Sequence, residues 1–287
     1  DDDRYGNLWI ATDNGLNRYN LKTDDFDVYQ NNESGKSIPG NQIICLEKDK
    51  LGNLWAGLSD KGLCMLQQTG SENEVAFKSY THNANDSTSF PIGNAWCLSF
   101  DNKNNCFTGN YLQGIVIFNP ATAQNKIRYT TLTADKNQIQ SNNVQFIYFD
   151  STLNATWVLN QNGMLDLVQI AVDNLNSELV DIMHFGDQLK NQLGLKIITP
   201  FRILSDSPNH YWLATNEQGL ISFSLKRTNG KLTIDNANKL SKFEMNKDSL
   251  QSNSILSVFR DRSNHLWLGS EEAYVSHINL NQSVFQY

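Results

Sequence analysis

The 287-residue sequence predicts an all-β fold, a β-propeller of four-stranded antiparallel blades, on three observations. A phrase of the Gly-Asn-Leu-Trp type returns about every fifty residues along the whole chain, the period expected of propeller blades. Each repeat holds four short runs of strand character parted by turn residues. Turn formers are abundant, with 37 Asn and 17 Gly, and both tolerate the left-handed backbone of tight turns.

The repeat is read from its aromatic. Gly6-Asn7-Leu8-Trp9 and Gly52-Asn53-Leu54-Trp55 are followed by weaker echoes ending at Phe107, Trp157, Trp212 and Trp267, in steps of 46, 52, 50, 55 and 55 residues. An Asp precedes each aromatic: Asp3, Asp49, Asp101, Asp150, Asp206 and Asp261. A turn and a glycine pair follow, as in Gly15-Leu16, Gly62-Leu63, Gly114-Ile115, Gly163-Met164 and Gly219-Leu220. These features predict six blade units in one domain over 1–287, at about 1–40, 41–92, 93–140, 141–197, 198–250 and 251–287. The first unit opens directly on its second strand, Leu8 to Thr12, and is incomplete, whereas the later five are expected to hold four strands each.

Within a unit each element has a physical reason. The Asp closes the hairpin between the first and second strands by accepting local backbone N–H groups. The Trp supplies the apolar surface that one blade buries against the next. In the second unit the strands are expected at Ile43 to Glu47, Leu54 to Leu58, Leu63 to Leu66 and Ala76 to Tyr80, with a last apolar pulse in the sixth unit at Val284 to Tyr287. The fourth unit departs from the pattern after Ile170, where a strand around His184-Phe185 leads into a short helical turn, Gly186 to Leu193. A second insertion lies between Leu225 and Phe243; both are candidates for ligand or partner contact.

Composition narrows the function. A net charge of -7 with no Lys/Arg cluster excludes nucleic acid as an expected partner, and no apolar run is long enough to span a bilayer. Asp1-Asp2-Asp3 is no signal peptide, so the chain reads as a mature or excised segment. Cys45, Cys64, Cys97 and Cys106 have neither zinc-ligand nor CxxC spacing and read as buried thiols. His82, His184, His210, His265 and His277 are scattered, so no metal, cofactor or catalytic residue is expected.

Asp3-Arg4-Tyr5-Gly6-Asn7-Leu8-Trp9-Ile10-Ala11-Thr12, Gly15-Leu16-Asn17-Arg18-Tyr19-Asn20, Thr23, Phe26 to Tyr29 and Ile38 to Asp49 together resemble the two-component regulator propeller repeat. That repeat occurs in tandem in periplasmic sensor regions of hybrid two-component systems of gut Bacteroides-type bacteria. The third unit departs from it with Phe107 for Trp, and the fourth with Leu159-Asn160 for Gly-Thr. The resemblance implies a periplasmic sensor of oligosaccharides that regulates polysaccharide use, with kinase and DNA-binding modules elsewhere in a parent chain of an inner-membrane protein. It also implies a second propeller, a homodimeric receptor and possible membership of a seven-bladed ring. A propeller enzyme of lyase or glycosidase type acting on a glycan, and a non-catalytic protein-binding or dimerisation scaffold, are the competing readings.

Specificity is sought where blades differ, because a single ligand meets each blade once. The loop Asn110-Tyr111-Leu112-Gln113, between second and third strands, combines amides with an aromatic face, the mix that binds sugar hydroxyls and C–H patches. Trp96 joins Asn110, Tyr111 and Gln113 as a candidate, with a core position as its alternative. Arg202 stands where other blades carry Cys45, Cys97, Phe146 and Ser257, and needs a partner such as Glu217 or an acidic sugar.

Overall fold

The computed structural model describes every residue except 4, 33–36, 69–74, 87–88, 91–92, 122–125, 132–137, 162, 171–179, 243–248, 273 and 282–287. Six sheets follow one another along the chain, each in simple up-and-down order. They are β1 (Leu8–Thr12), β2 (Gly15–Asn20) and β3 (Asp25–Tyr29); β4 (Ile43–Lys48), β5 (Leu54–Leu58), β6 (Leu63–Gln68) and β7 (Val75–Tyr80); then β8 (Cys97–Phe100), β9 (Cys106–Asn110), β10 (Gly114–Phe118) and β11 (Lys126–Tyr129). The fourth sheet is β12 (Val144–Asp150), β13 (Ala155–Asn160), β14 (Leu165–Ile170) and β15 (Val180–His184). Helix α1 (Gly186–Leu193) precedes the fifth, β16 (Pro200–Ser207), β17 (His210–Thr215), β18 (Leu220–Thr228) and β19 (Lys231–Leu240); the sixth is β20 (Ile255–Arg260), β21 (His265–Ser270) and β22 (Val275–Asn279).

The first sheet is three-stranded, as expected, and main-chain bonds join Asp1 to Trp9 beside β1. The sixth shows three strands among the described residues, and the pulse at Val284 to Tyr287 lies outside them. The strand and helical turn around His184 form as expected, although 171–179 of that insertion lie outside the described residues. The insertion after Leu225 is a long hairpin, since β18 and β19 pair out to Thr228 and Lys231. Helix α1 clasps β19: Gln192 Nε2 donates to the Ile234 carbonyl at 2.9 Å, and Ile234 N–H donates to Gln188 Oε1 at 3.3 Å.

The chain forms two compact units, 1–158 with 168–182, and 159–167 with 183–287. In the first unit, Trp9 packs with Ile43, Leu54, Ala56 and Leu66 of the second sheet, while Trp55 packs with Leu98, Phe100 and Phe118 of the third. In the second unit, Trp212 packs with Ile255, Leu266 and Leu268. The repeated aromatic is therefore the joint between successive blades, and its burial is worth about 3–5 kcal/mol per residue on truncation. Trp267 occupies the same position in the sixth blade, is 41% exposed and stacks on His277 at 5.4 Å.

The Asp does more than close its hairpin. Asp49 Oδ1 accepts from the N–H groups of Leu51 and Asn53 at 2.9 Å, while Oδ2 accepts from Asn53 Nδ2 at 2.9 Å and Trp55 Nε1 at 3.0 Å. Asp3–Trp9, Asp206–Trp212 and Asp261–Trp267 repeat the indole bond at 2.8, 2.6 and 2.7 Å. Where Phe107 replaces Trp, Asn105 Nδ2 takes Asp101 Oδ2 at 2.7 Å. The residue at the hairpin's crest has positive φ in all six units, as Gly6, Gly52, Asn104, Asn154, Asn209 and Asn264. This is one physical origin of the Asn and Gly content.

A second clamp fixes the opposite end of the blades. The N–H groups of Gly15, Gly62, Gly114 and Gly219 donate to the carbonyls of Asn41, Gly93, Asn142 and Asn253 at 2.7–3.0 Å, tying each second-to-third-strand turn to the connection leading into the next blade. Sequence variation in those two loops thus meets in one place.

Candidate ligand-binding site

Four of the candidate residues, Trp96, Asn110, Tyr111 and Gln113, lie in the third blade. Its first strand begins on a bulge, because Trp96 N–H donates to the Gly109 carbonyl at 2.9 Å while the next residue, Cys97, is already opposite Gly109 in register. Register shifts leave Ile44, Phe201 and Leu256 in the corresponding place of their blades. A bulge re-aims a side chain out of the pleat, and Trp96 is accordingly 40% exposed rather than in the core. The small partners of this arrangement are legible in register. Cys45 faces Gly57, Cys97 faces Gly109 and Ser257 faces Gly269, and a Cβ on any of these glycines would strike the opposing Sγ or Oγ.

Tyr111, at the crest of the β9–β10 turn, is 42% exposed and stacks on Trp96 with ring centroids 5.4 Å apart and planes 21° from parallel. The turn is held from both sides. Tyr111 N–H donates to Asn94 Oδ1 at 3.3 Å, Leu112 N–H to Asn143 Oδ1 at 3.1 Å, and Leu112 itself has φ 62°, a conformation L side chains rarely adopt. Asn110 is 0% exposed, and its Nδ2 donates to the carbonyls of Thr108 at 3.3 Å and Gly114 at 3.1 Å. It caps the hairpin beneath Tyr111, as Thr12 and Thr215 do in their blades by donating to Gly15 and Gly219. Gln113 is half-buried beside this cap. The structure thus gathers Trp96, Asn110, Tyr111 and Gln113, and adds Asn94 and Asn143, which the sequence reading had not singled out.

Arg202 and Glu217 lie in the second unit. Arg202 NH1 donates to the Phe201 carbonyl at 2.7 Å, and its register partner is Ala214, where the second, third and sixth blades place glycine opposite Cys45, Cys97 and Ser257. Glu217 is exposed on the turn after β17 with φ 68°, and no ion pair joins it to Arg202 among the described residues.

Two further titratable groups stand out. Asp166, fully buried, accepts from His184 Nδ1 at 2.8 Å and from Asn160 Nδ2 at 3.4 Å, at a place where Cys64 and Ile221 stand in other blades. Glu47 on β4 is pushed up to about 7 by burial, against the pull of Lys50, Lys48 and the chain's amino terminus. Burial also raises the Cys64 thiol to about 12, so it stays protonated. Among the described residues no helix is long and apolar enough to cross a membrane, and no group of three or more His, Cys, Asp or Glu side chains could hold a metal ion.

Two of the six units match a known family of repeats. Residues 37–60 and 249–272 match the family described as two component regulator propeller. Over these two stretches the chain is similar to two-component regulator propeller repeats. Both matched stretches contain an Asp–Trp frame, Asp49–Trp55 and Asp261–Trp267, and neither contains Trp96 or Tyr111. The regulator-propeller signature therefore describes the shared scaffold and leaves the site unassigned. Over 269 residues the chain is 28% identical to Histidine kinase P4 of Formosa agariphila, covering 93% of this chain and 18% of that protein. Among solved structures, the extracellular domain of the putative hybrid two component system BT3049 from B. thetaiotaomicron superposes with a TM-score of 0.70 at 22% identity, covering 95% of this chain and 32% of that one. The Cps50 (Swd1) β-propeller domain of Myceliophteria thermophila superposes with a TM-score of 0.63 at 10% identity, covering 97% and 82%. These likenesses establish the β-propeller fold.

Proposed function

We propose that this chain is the ligand-sensing propeller of a periplasmic, hybrid two-component receptor, and that it takes an oligosaccharide on the Trp96–Tyr111 platform. The observation that carries the reading is the pairing of a shared regulator-propeller scaffold with one blade end that differs from the rest by two exposed, stacked aromatics. A sugar ring lays its C–H face on an aromatic and spends its hydroxyls on amides, and Asn94 lies beside the stack, its Oδ1 accepting from Tyr111 N–H. The likeness to a histidine kinase supports a signalling parent chain, of which this segment would be one propeller across 1–287. A second propeller and a homodimeric receptor belong to the same proposal. Arg202 and Glu217 enter it as polar contacts of their own unit, with Asn110 supporting the loop beneath Tyr111.

The test is a thermal-shift and calorimetric screen of oligosaccharides on the chain, repeated with Trp96→Ala. Binding without cleavage, lost in the variant, is the expected result. Cleavage of a glycan would favour the enzyme reading. Self-association that depends on Trp96, without sugar binding, would favour the scaffold.

A further inference from the structure

The joint between the third and fourth blades is filled differently from the others. In three other joints the residue before a blade's aromatic is apolar and packs with the aromatic of the preceding blade: Leu54 with Trp9, Cys106 with Trp55 and Leu266 with Trp212. Here both partners change, since the aromatic is Phe107 and the residue before the next aromatic, Trp157, is Thr156. A cavity of about 240 Å³, its open mouth included, lies where they meet, lined by Asp101, Phe107, Phe149, Thr156, Val168 and Ile170, all of the first compact unit. It sits at the β8–β9 hairpin, the opposite end of the third blade from Tyr111. Two polar groups border this apolar slot. Thr156 is 0% exposed, and its Oγ1 has no hydrogen-bond partner among the described residues. Asp101 Oδ2 accepts from Asn105 Nδ2 at 2.7 Å and from no second donor among the described residues. Its counterparts take two donors each: Asp3 Oδ2 accepts from Asn7 Nδ2 and Trp9 Nε1, and Asp49 Oδ2 from Asn53 Nδ2 and Trp55 Nε1, all at 2.8–3.0 Å.

We propose that this cavity binds a small planar nitrogen heteroaromatic that carries one ring N–H and one ring-nitrogen acceptor. The N–H donates to Asp101 Oδ2, as the indoles of Trp9 and Trp55 donate to the carboxylates of their own blades. The acceptor nitrogen takes the Thr156 hydroxyl, which rotates to suit its partner, while Asp101 as a carboxylate only accepts. A buried hydroxyl left unpaired is costly, so a ligand that pairs both groups binds more tightly than one that merely fills space. The ring itself lies against Phe107, Val168 and Ile170, and a gap left in an apolar core by a shortened side chain takes up small aromatics. Lys103, exposed at the edge of the cavity, is the long flexible side chain that moves aside as the ring enters. The proposal is independent of the oligosaccharide reading, because neither Trp96 nor Tyr111 lines this cavity.

The experiment titrates three bicyclic probes of matched shape into the isotope-labelled chain and follows its amide resonances. Benzimidazole has both the N–H and the acceptor nitrogen, indole has the N–H alone, and indene has neither; mildly alkaline buffer keeps all three neutral. Phe107→Trp and Thr156→Val are run beside the wild type, with circular dichroism to confirm folding. The expected result is saturable shifts at Phe107 and Thr156, with benzimidazole about tenfold tighter than indole and indene weaker still. Phe107→Trp, which places the chain's own indole in the slot, should abolish binding and raise the denaturant midpoint. Thr156→Val, nearly the same shape without the hydroxyl, should bring benzimidazole down to the level of indole, and it carries the test if Phe107→Trp does not fold. Three results overturn the proposal. No probe shifts these amides up to its solubility limit, so that the cavity serves solvent only; indene binds as tightly as benzimidazole; or binding is undiminished in the variants that fold.

Discussion

The indole N–H of Trp55 donates to Asp49 Oδ2 across 3.0 Å, and both side chains are closed to solvent. Burial opposes ionisation of Asp49, but the bonds from Asn53, Trp55 and two backbone amides outweigh it and hold the carboxyl below its ordinary range. One carboxylate thus joins the first-to-second-strand hairpin to the aromatic that locks the next blade.

Asp49→Ala should therefore cost about 2–4 kcal/mol, since it strands several donors in a buried site. Trp55→Phe should cost less than Trp55→Ala, because the third blade already works with Phe107 while Asn105 covers the free oxygen of Asp101. A double-mutant cycle between Asp49→Ala and Trp55→Phe, read by urea unfolding, should return a coupling of about 1 kcal/mol. Purely additive effects would remove the Asp–Trp bond from the account.

Two glycines of the same blade should respond oppositely. Gly52 has φ 78° and open space around it, and Asn fills its place in four other blades, so Gly52→Asn should change stability by no more than about 0.5 kcal/mol. Gly62 has φ 71°, and a Cβ there would strike the Tyr80 carbonyl, so Gly62→Ala should cost about 2 kcal/mol or more. Denaturant midpoints compare the two directly.

Stability should fall on both sides of a mildly acidic optimum. Asp49 and Asp206 have depressed pKa values, so the stability they add is present above the unfolded value and disappears as pH drops through the folded one. Glu47 runs the other way. Its folded value of about 7 exceeds the 4.5 of the free group, so the folded state holds the extra proton between them. Its contribution is complete below about 4.5 and is lost as pH rises to about 7, reaching up to about 3 kcal/mol. Glu47→Gln should flatten the thermal-melt profile between about pH 4.5 and about pH 7 and leave the limb below it unchanged.

The scaffold was legible because its residues repeat: Asp49 and Trp55 form a bond that recurs in three other blades, the positive φ of Gly52 recurs in all six, and the Gly62 clamp in three others. The Asp–Trp bond itself was not, since six residues of separation become contact only once the hairpin has folded. Trp96 and Tyr111 could be picked out because no other blade has them. Their stacking could not, because it depends on the bulge that turns Trp96 out of its strand and on Asn94 and Asn143 holding the turn. Asn110 looked like a ligand contact by type and position, and its burial as a hairpin cap is a matter of three-dimensional packing. The bond between Asp166 and His184 was not legible, because the chain between their strands is the least regular part of the repeat.

The central claim is that the third blade end, and no repeated feature, receives the ligand. The most direct measurement is a crystal structure of the chain with an oligosaccharide that binds it. The account predicts a sugar ring against Trp96 or Tyr111 with hydroxyls on Asn94 or Gln113. Density for the sugar elsewhere, with the Trp96–Tyr111 stack untouched, would contradict it.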